Sequence, residues 1–320
     1  MRKITKIWII VAAVLILIGT IIFAGVMTVF KWDFTKLSTV KYVDNKYGIT
    51  EKFNDISIDT DVADIEFIPS EDSKISVVLH EQEKFKHTVT VQDGALNIKI
   101  NNTGKWYEFI MINFGSPKIT VYLPKGEYGE LSVKTSTGDT VIPKDFKFES
   151  IDVKQSTGNI KCMASAGGDV KLKTSTGSIK AEDIKVGSLS MTVSTGKVTA
   201  NDIECAGDLT VKVSTGGTTL SNIKCNNLIA NGSTGDIKLI KVIADEKINI
   251  KRSTGDIKFD GCDAGELIIE TDTGDVKGTL LSEKVFIAKT DTGSVKVPES
   301  INGGKCKITT DTGDIKIEIK

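Results

Sequence analysis

From Thr137 to Gly313 a Thr-Gly pair recurs ten times, and successive pairs are always 19 or 20 residues apart. The pairs are Thr137/Gly138, Thr157/Gly158, Thr176/Gly177, Thr195/Gly196, Thr215/Gly216, Thr234/Gly235, Thr254/Gly255, Thr273/Gly274, Thr292/Gly293 and Thr312/Gly313. Serine precedes the threonine in the first seven and aspartate in the last three. A fixed period of this length marks an array of stacked units, each too small to bury a face alone.

Aligning the units on their glycines shows what each contains. Leu131, Ile151, Val170, Leu189, Leu209, Leu228, Ile248 and Leu267 lie seven residues before it, and Val133, Val153, Leu172, Met191, Val211, Ile250 and Ile269 lie five before. Ile160, Ile179, Val198, Ile237, Ile257, Val276, Val295 and Ile315 lie two after. Alternation with period two on both sides of a glycine predicts two short strands joined by a sharp corner. Between Lys144 and Val297 there is no proline, which suits continuous sheet. Parallel crossovers prefer one hand. The expected fold is therefore all-β: a right-handed parallel β-solenoid (β-helix) of about ten 19–20-residue coils. Glycine gives the corner access to positive φ, and the stacked corner threonines are expected to pass hydroxyl hydrogen bonds along it. Lys161, Lys180, Lys238, Lys258, Lys277, Lys296 and Lys316 form an outward column, with Asp139, Asp236, Asp256, Asp275 and Asp314 beside it to neutralise the charge.

One transmembrane helix is expected ahead of the solenoid. Ile7 to Phe30 holds no charged residue over 24 positions, enough to cross a bilayer at about 1.5 Å per residue. Trp8 and Trp32 suit its two interfaces. Flanking lysines and arginine nearly tie, whereas the short tail before the helix favours an extracytoplasmic carboxyl-terminal domain. The expected organisation is a tail over 1–6, the membrane helix over 7–30, a linker over 31–50, irregular β coils with a cap over 51–128, and regular repeats over 129–320.

The segment ITVYLPKGEYGELSVKTSTGDTVIP (119–143) and the Ser-Thr-Gly-Asp units after it, with FNDISIDTDVADIEFIPSEDSKISVVLH and VQDGALNIKI upstream, carry a resemblance. The chain resembles the bacterial putative-adhesin β-strand-repeat family, a domain of unknown function, over roughly residues 51–320. The resemblance implies a right-handed β-helical domain behind one amino-terminal membrane helix at the cell envelope. It carries no catalytic residue across.

Several chemistries are weighed against the repeat. With 41 basic and 42 acidic residues there is no footprint for nucleic acid. Two histidines, His80 and His87, leave little scope for His-centred catalysis or multi-His metal sites. Cys162, Cys262 and Cys306 fall in apolar columns, while Cys205 and Cys225 hold equivalent places in neighbouring coils, within reach of a bridge. No C-x-x-C spacing suggests zinc. The Asp-Thr-Gly triplets starting at Asp272, Asp291 and Asp311 match the aspartic-protease triplet, but they are rungs of one ladder rather than paired lobes. Asp272, Asp275, Asp291, Asp311 and Asp314 form the densest acidic patch, without a calcium β-roll motif.

Polysaccharide cleavage is the enzyme alternative, with Arg252 beside Lys251 and Asp256 as its centre; a strut paired to a neighbouring aspartate is the plainer role for that arginine. The Thr-x-Thr column that includes Thr135, Thr174, Thr271, Thr290 and Thr310 points inward by alternation, which discards an ice-binding face. Trp106, Tyr107, Phe109 and Phe114 form an aromatic cluster, either a cap or a partner patch. The last strand, Asp314 to Lys320, is expected to end the solenoid bare, guarded by Lys316, Glu318 and Lys320 and open to end-to-end self-association. No cofactor, metal or catalytic residue is expected. The reading is a non-enzymatic, membrane-anchored envelope protein whose solenoid binds or scaffolds cell-wall polymer or envelope proteins at the cell surface. A membrane-tethered cytoplasmic scaffold is the other arrangement.

Overall fold

The corner glycine sets the path of each coil. The computed structural model describes residues 3–34, 41–101 and 115–320. In it Gly138, Gly158, Gly177, Gly196, Gly216, Gly235, Gly255, Gly274, Gly293 and Gly313 all have φ between 120° and 151°, backbone that side chains with a Cβ resist. They also pack on one another. A Cβ on Gly216 would overlap the carbonyl oxygen of Gly196, one on Gly235 that of Gly216, and one on Gly255 that of Gly235. Gly138, the first of the column, rests instead on the carbonyl of Ala63 in the irregular coil before it.

Strands run into and out of this corner, and equivalent strands of successive coils pair in parallel and in register. Thr157 pairs with Thr137 and Thr176, and the column continues through Thr195, Thr215, Thr234, Thr254 and Thr273. The result is a parallel β-solenoid. Its inward columns are the apolar ones: Leu131, Ile151, Val170, Leu189, Leu209, Leu228, Ile248 and Leu267 are all buried, and so are Ile160, Ile179, Val198, Ile237, Ile257 and Ile315. Each such side chain stabilises the fold by roughly 1.5–3 kcal/mol on removal from water, but only while its neighbouring coils cover it.

A second corner follows six residues after the glycine. Asp183, Asp202, Asn222 and Lys241 adopt φ of 54°, 57°, 53° and 51°, and Gly261 takes φ 61° at the same place in the next coil. Asp, Asn and Gly tolerate this left-handed conformation better than most residues. The recurrence of the conformation, across four residue types, defines a second edge along the rod.

At both ends the order of coils in space departs from their order in the chain. At the amino-terminal end, strand Asp55–Val62 lies between Ala95–Ile100 and Gly126–Thr137. Asp64–Pro69 lies likewise between Lys118–Leu123 and Thr140–Ile142. Antiparallel strands cover the outer rung: His87–Gln92 on Ala95–Ile100, and Ile75–Gln82 on Lys118–Leu123. Tyr42–Ile49 then pairs antiparallel with Ile75–Gln82. Residues 42–49 of the expected 31–50 linker thus form this strand, held by Tyr42 stacked on His80 at 4.8 Å and by His80 bonded to Asp44 at 2.7 Å. Its polar and charged residues, such as Asp44, Asn45 and Lys46, disguise it in the sequence.

At the other end, Gly304–Thr312 is inserted between Ile257–Thr273 and Lys284–Thr292. Ile315–Ile319 sits between Val276–Leu280 and Val295–Lys296. The expected bare last strand is therefore an inner one, and the terminal rung is the Gly293 coil. The physical reason lies in that coil. Its second strand has two residues, Val295–Lys296, and Pro298 just beyond has no N–H for a ladder. The Gly313 coil offers five residues there, Ile315–Ile319, and takes the doubly paired position.

The helix Lys3–Val29 precedes the solenoid. Ile4–Val29 is long and apolar enough to cross a membrane.

Candidate functional site

The glycine corner carries a carboxylate ladder that the repeat only hinted at. Asp64 Oδ1 accepts the backbone N–H of Asp139, which follows Gly138, at 2.8 Å. Asp139 Oδ1 accepts that of Asn159 at 2.7 Å, and Asn159 Oδ1 accepts that of Ser178 at 2.9 Å. Further along, from Gly235 and Gly255 onward, Asp236 serves Asp256, Asp256 serves Asp275, Asp275 serves Asp314, and Asp314 serves Ser294, all at 2.8–3.0 Å. These side chains satisfy N–H groups that the turn leaves outside the sheet ladder. Their second oxygens meet the lysine column, as in Lys258 with Asp256 at 3.2 Å and Lys277 with Asp275 at 2.5 Å. The Lys277 hydrogen bond and the Asp314 amide hold the Asp275 carboxyl below its usual range, and the Ser294 amide does the same for Asp314.

This arrangement accounts for the acidic patch. Asp275 and Asp314 are committed to backbone, Asp291 pairs with Lys289 at 2.8 Å, and Asp272 and Asp311 are exposed. The three Asp-Thr-Gly triplets stand on separate rungs in the spatial order Asp272, Asp311, Asp291. Among the described residues no group of three or more His, Cys, Asp or Glu side chains is arranged to hold a metal ion.

The hydroxyls that tie the corner are different from those expected. Thr137, Thr157, Thr176, Thr195, Thr215, Thr234, Thr254, Thr273, Thr292 and Thr312 are exposed on the outside of the turn. The inward threonines two residues earlier make the bonds. Thr174 Oγ1 donates to Gly158 O at 3.0 Å, Thr310 to Gly274 O at 3.2 Å, and Thr290 to Gly313 O at 2.9 Å. Strand alternation predicts which threonine points inward, and a buried hydroxyl needs a partner.

Arg252 occupies this inward column and is 1% exposed. It is a strut, but not one paired to an aspartate: Nη1 donates to the carbonyl of Val213 at 2.9 Å, two coils away. The guanidinium lies over Gly232, where a Cβ would collide with it. Lys251 points out to Glu270 at 3.3 Å. A buried guanidinium cannot approach an external polysaccharide, which removes the centre of the lyase arrangement.

The second corner carries a groove among the described residues. The groove, of about 510 Å³, runs across five coils there, from Ser165 to Ile243, with Ile184, Ile203 and Ile223 in its lining. Asp183, Lys185, Asp202, Glu204, Asn222, Lys224 and Lys241 are exposed along it. Lys185 and Glu204 pair at 2.7 Å, which raises the lysine and lowers the carboxyl from their ordinary values. Asn222 donates to Asp202 at 2.9 Å. The three acidic and three lysine side chains balance. Such a lining suits an uncharged or zwitterionic polymer rich in hydroxyl and amide groups better than a polyanion.

One histidine forms a constellation that sequence reasoning missed. His87 Nδ1 bonds Glu81 Oε2 at 2.8 Å and its Nε2 bonds Thr60 Oγ1 at 2.8 Å. The Thr-His-Glu order follows that of a hydrolytic triad, yet all three residues are buried. Glu81 also accepts the His87 amide and the Asn45 side chain, each at 2.7 Å. The group locks the strands of the amino-terminal cap together. No sequence spacing announces it, because strand pairing brings Thr60 to His87.

The five cysteines are free and buried. Burial pushes the Cys162, Cys225 and Cys306 thiols up to about 12, which suppresses thiolate chemistry. Cys205 contacts the carbonyl oxygen of Asp208 at 3.4 Å and is not bridged to Cys225. Trp106, Tyr107, Phe109 and Phe114 lie outside the described residues.

The profile of the family described as Toastrack DUF4097 matches residues 53–210 and 197–320. No curated protein matches the chain significantly. Among solved structures, it is similar to a "putative adhesin" from Bacteroides fragilis NCTC 9343, with 17% identity, 87% of this chain and 97% of the other covered, and a TM-score of 0.42. A "putative adhesin" from Parabacteroides merdae ATCC 43184 shows 13% identity, coverage of 88% and 98%, and a TM-score of 0.42. A "putative lipid binding protein" from Parabacteroides distasonis ATCC 8503 shows 17% identity, coverage of 86% and 97%, and a TM-score of 0.35.

Proposed function

The chain belongs to the Toastrack DUF4097 family of β-solenoids, and on that premise we propose that it is a non-enzymatic, membrane-anchored envelope protein whose solenoid binds or scaffolds at the cell surface. The observation that carries this reading is the groove at the second corner, open to solvent over five coils and lined by balanced charges. The groups with catalytic potential support it from the other side: Arg252, the five thiols and the Thr60–His87–Glu81 set are all buried. The helix Lys3–Val29 serves as the anchor, and the solenoid lies on the extracytoplasmic side.

Two experiments test the proposal. An epitope placed after Lys320 is exposed to protease on intact cells, with detergent-lysed cells as control. Digestion on intact cells is expected; protection until lysis overturns the surface location and favours a membrane-tethered cytoplasmic scaffold. Purified cell-wall polymer is then titrated against the wild type and a Lys185→Glu, Lys224→Glu variant. Loss of affinity of about tenfold or more in a folded variant is expected, and equal binding removes the groove from the proposal.

A further inference from the structure

We infer that the solenoid interior binds a small monovalent anion of the halide class against Arg252. The side chain has five N–H donors and can accept nothing. Nη1 is used by Val213 O, whereas Nε and Nη2 have no hydrogen-bond partner among the described residues. These two orphaned nitrogens are not an arbitrary pair. They form the side-on edge of the guanidinium, whose parallel N–H bonds converge on one acceptor.

The adjoining coil adds a third group. Thr271 is paired with Arg252 in register, is 3% exposed, and its Oγ1 also has no hydrogen-bond partner among the described residues. Among the described residues Arg252 forms no ion pair. Asp236 attracts it from a distance, but its Oδ1 is engaged by the Asp256 amide. Val213, Gly232 and Thr271, its neighbours along the column, are uncharged. A buried cation with a single neutral acceptor is costly, and an anion offsets both its charge and its free donors. Burial restricts the ligand to a small ion and excludes a carboxylate-bearing polymer. Gly232 makes the arrangement possible, since any side chain there would collide with the guanidinium.

The test uses the full chain in detergent. Sodium gluconate is replaced by sodium chloride or bromide at constant ionic strength while thermal unfolding is followed. Wild type should gain about 2 °C in Tm when the halide is some fivefold above its Kd. Arg252→Thr, which restores the residue common in this column, should lose that gain. An equal response in both proteins, or none in wild type, overturns the proposal. Should the variant fail to fold, crystals of wild type grown in bromide decide: an anomalous peak within hydrogen-bond reach of Nε and Nη2 supports the site, and a water there overturns it.

Discussion

The backbone amide of Asp314 donates to Asp275 Oδ1 at 2.8 Å across a separation of 39 residues. Between the regular coils before it the same bond spans one coil of 19 or 20 residues, as between Asp256 and Asp236 or Asp275 and Asp256. The doubled interval is the signature of a coil that has been stepped over. The Gly293 coil lies beyond, with Ser294 donating back to Asp314 at 2.9 Å. Hydrogen exchange gives a direct check: amides of Ile315–Ile319, held between two coils, should exchange more slowly than those of Val295–Lys296 at the edge. The reverse order would mean that the coils stack in chain order.

The terminal rung also predicts where copies would associate. Ile287 is 52% exposed and Val295 45%, beside unpaired edge backbone. Any concentration-dependent association seen by sedimentation should be abolished by Ile287→Lys. It should persist in Lys316→Ala, because that residue belongs to an inner coil.

Gly216→Ala should cost about 2–3 kcal/mol through forced positive φ, with overlap against the Gly196 carbonyl adding to it. Urea unfolding measures the loss. Gly167→Ala is the control, since a Cβ there meets nothing within 4 Å, and it should change stability little.

Arg252 and Gly232 should be energetically coupled. Gly232→Ala meets both the guanidinium and the Val213 carbonyl, so it should be destabilising in wild type and less so in Arg252→Thr. An interaction energy of about 0.5–3 kcal/mol is expected from the double-mutant cycle. Strict additivity would place the guanidinium elsewhere.

The carboxylate ladder should make stability fall in acid. Asp275 and Asp314 have folded pKa values below their ordinary 3.8. Their contribution is therefore complete above the unfolded value and is lost as pH falls through the folded one. Thermal melts between neutral pH and the acid limit should show this, and Asp275→Asn should flatten the acid limb. An unchanged limb would mean that other carboxylates dominate it.

Much of this fold is legible because one coil constrains the next. Leu209 and Val211 alternate in the sequence as they do in the wall, and the glycine spacing from Gly138 through Gly235 and Gly255 to Gly313 fixes the corner. What stays hidden is whatever the repeat does not encode. Either order of the Gly293 and Gly313 coils satisfies the same period, so only pairing reveals the insertion. The second corner escapes notice because Asp183, Asp202, Asn222 and Lys241 share a backbone conformation rather than a residue type. The groove beside it therefore has no motif. Thr60, Glu81 and His87 come together through the antiparallel cap, beyond the reach of the parallel repeat.

The inserted coil also bears on how the protein is made. The Gly274 coil cannot acquire its neighbour when residues 284–296 leave the ribosome, because the position between them belongs to residues 304–320. That stretch of wall has to wait open until the later segment arrives, while every preceding regular coil can close on the one before it. A chain interrupted between these two segments would leave the edge of the Gly274 coil without the partner that residues 304–320 supply.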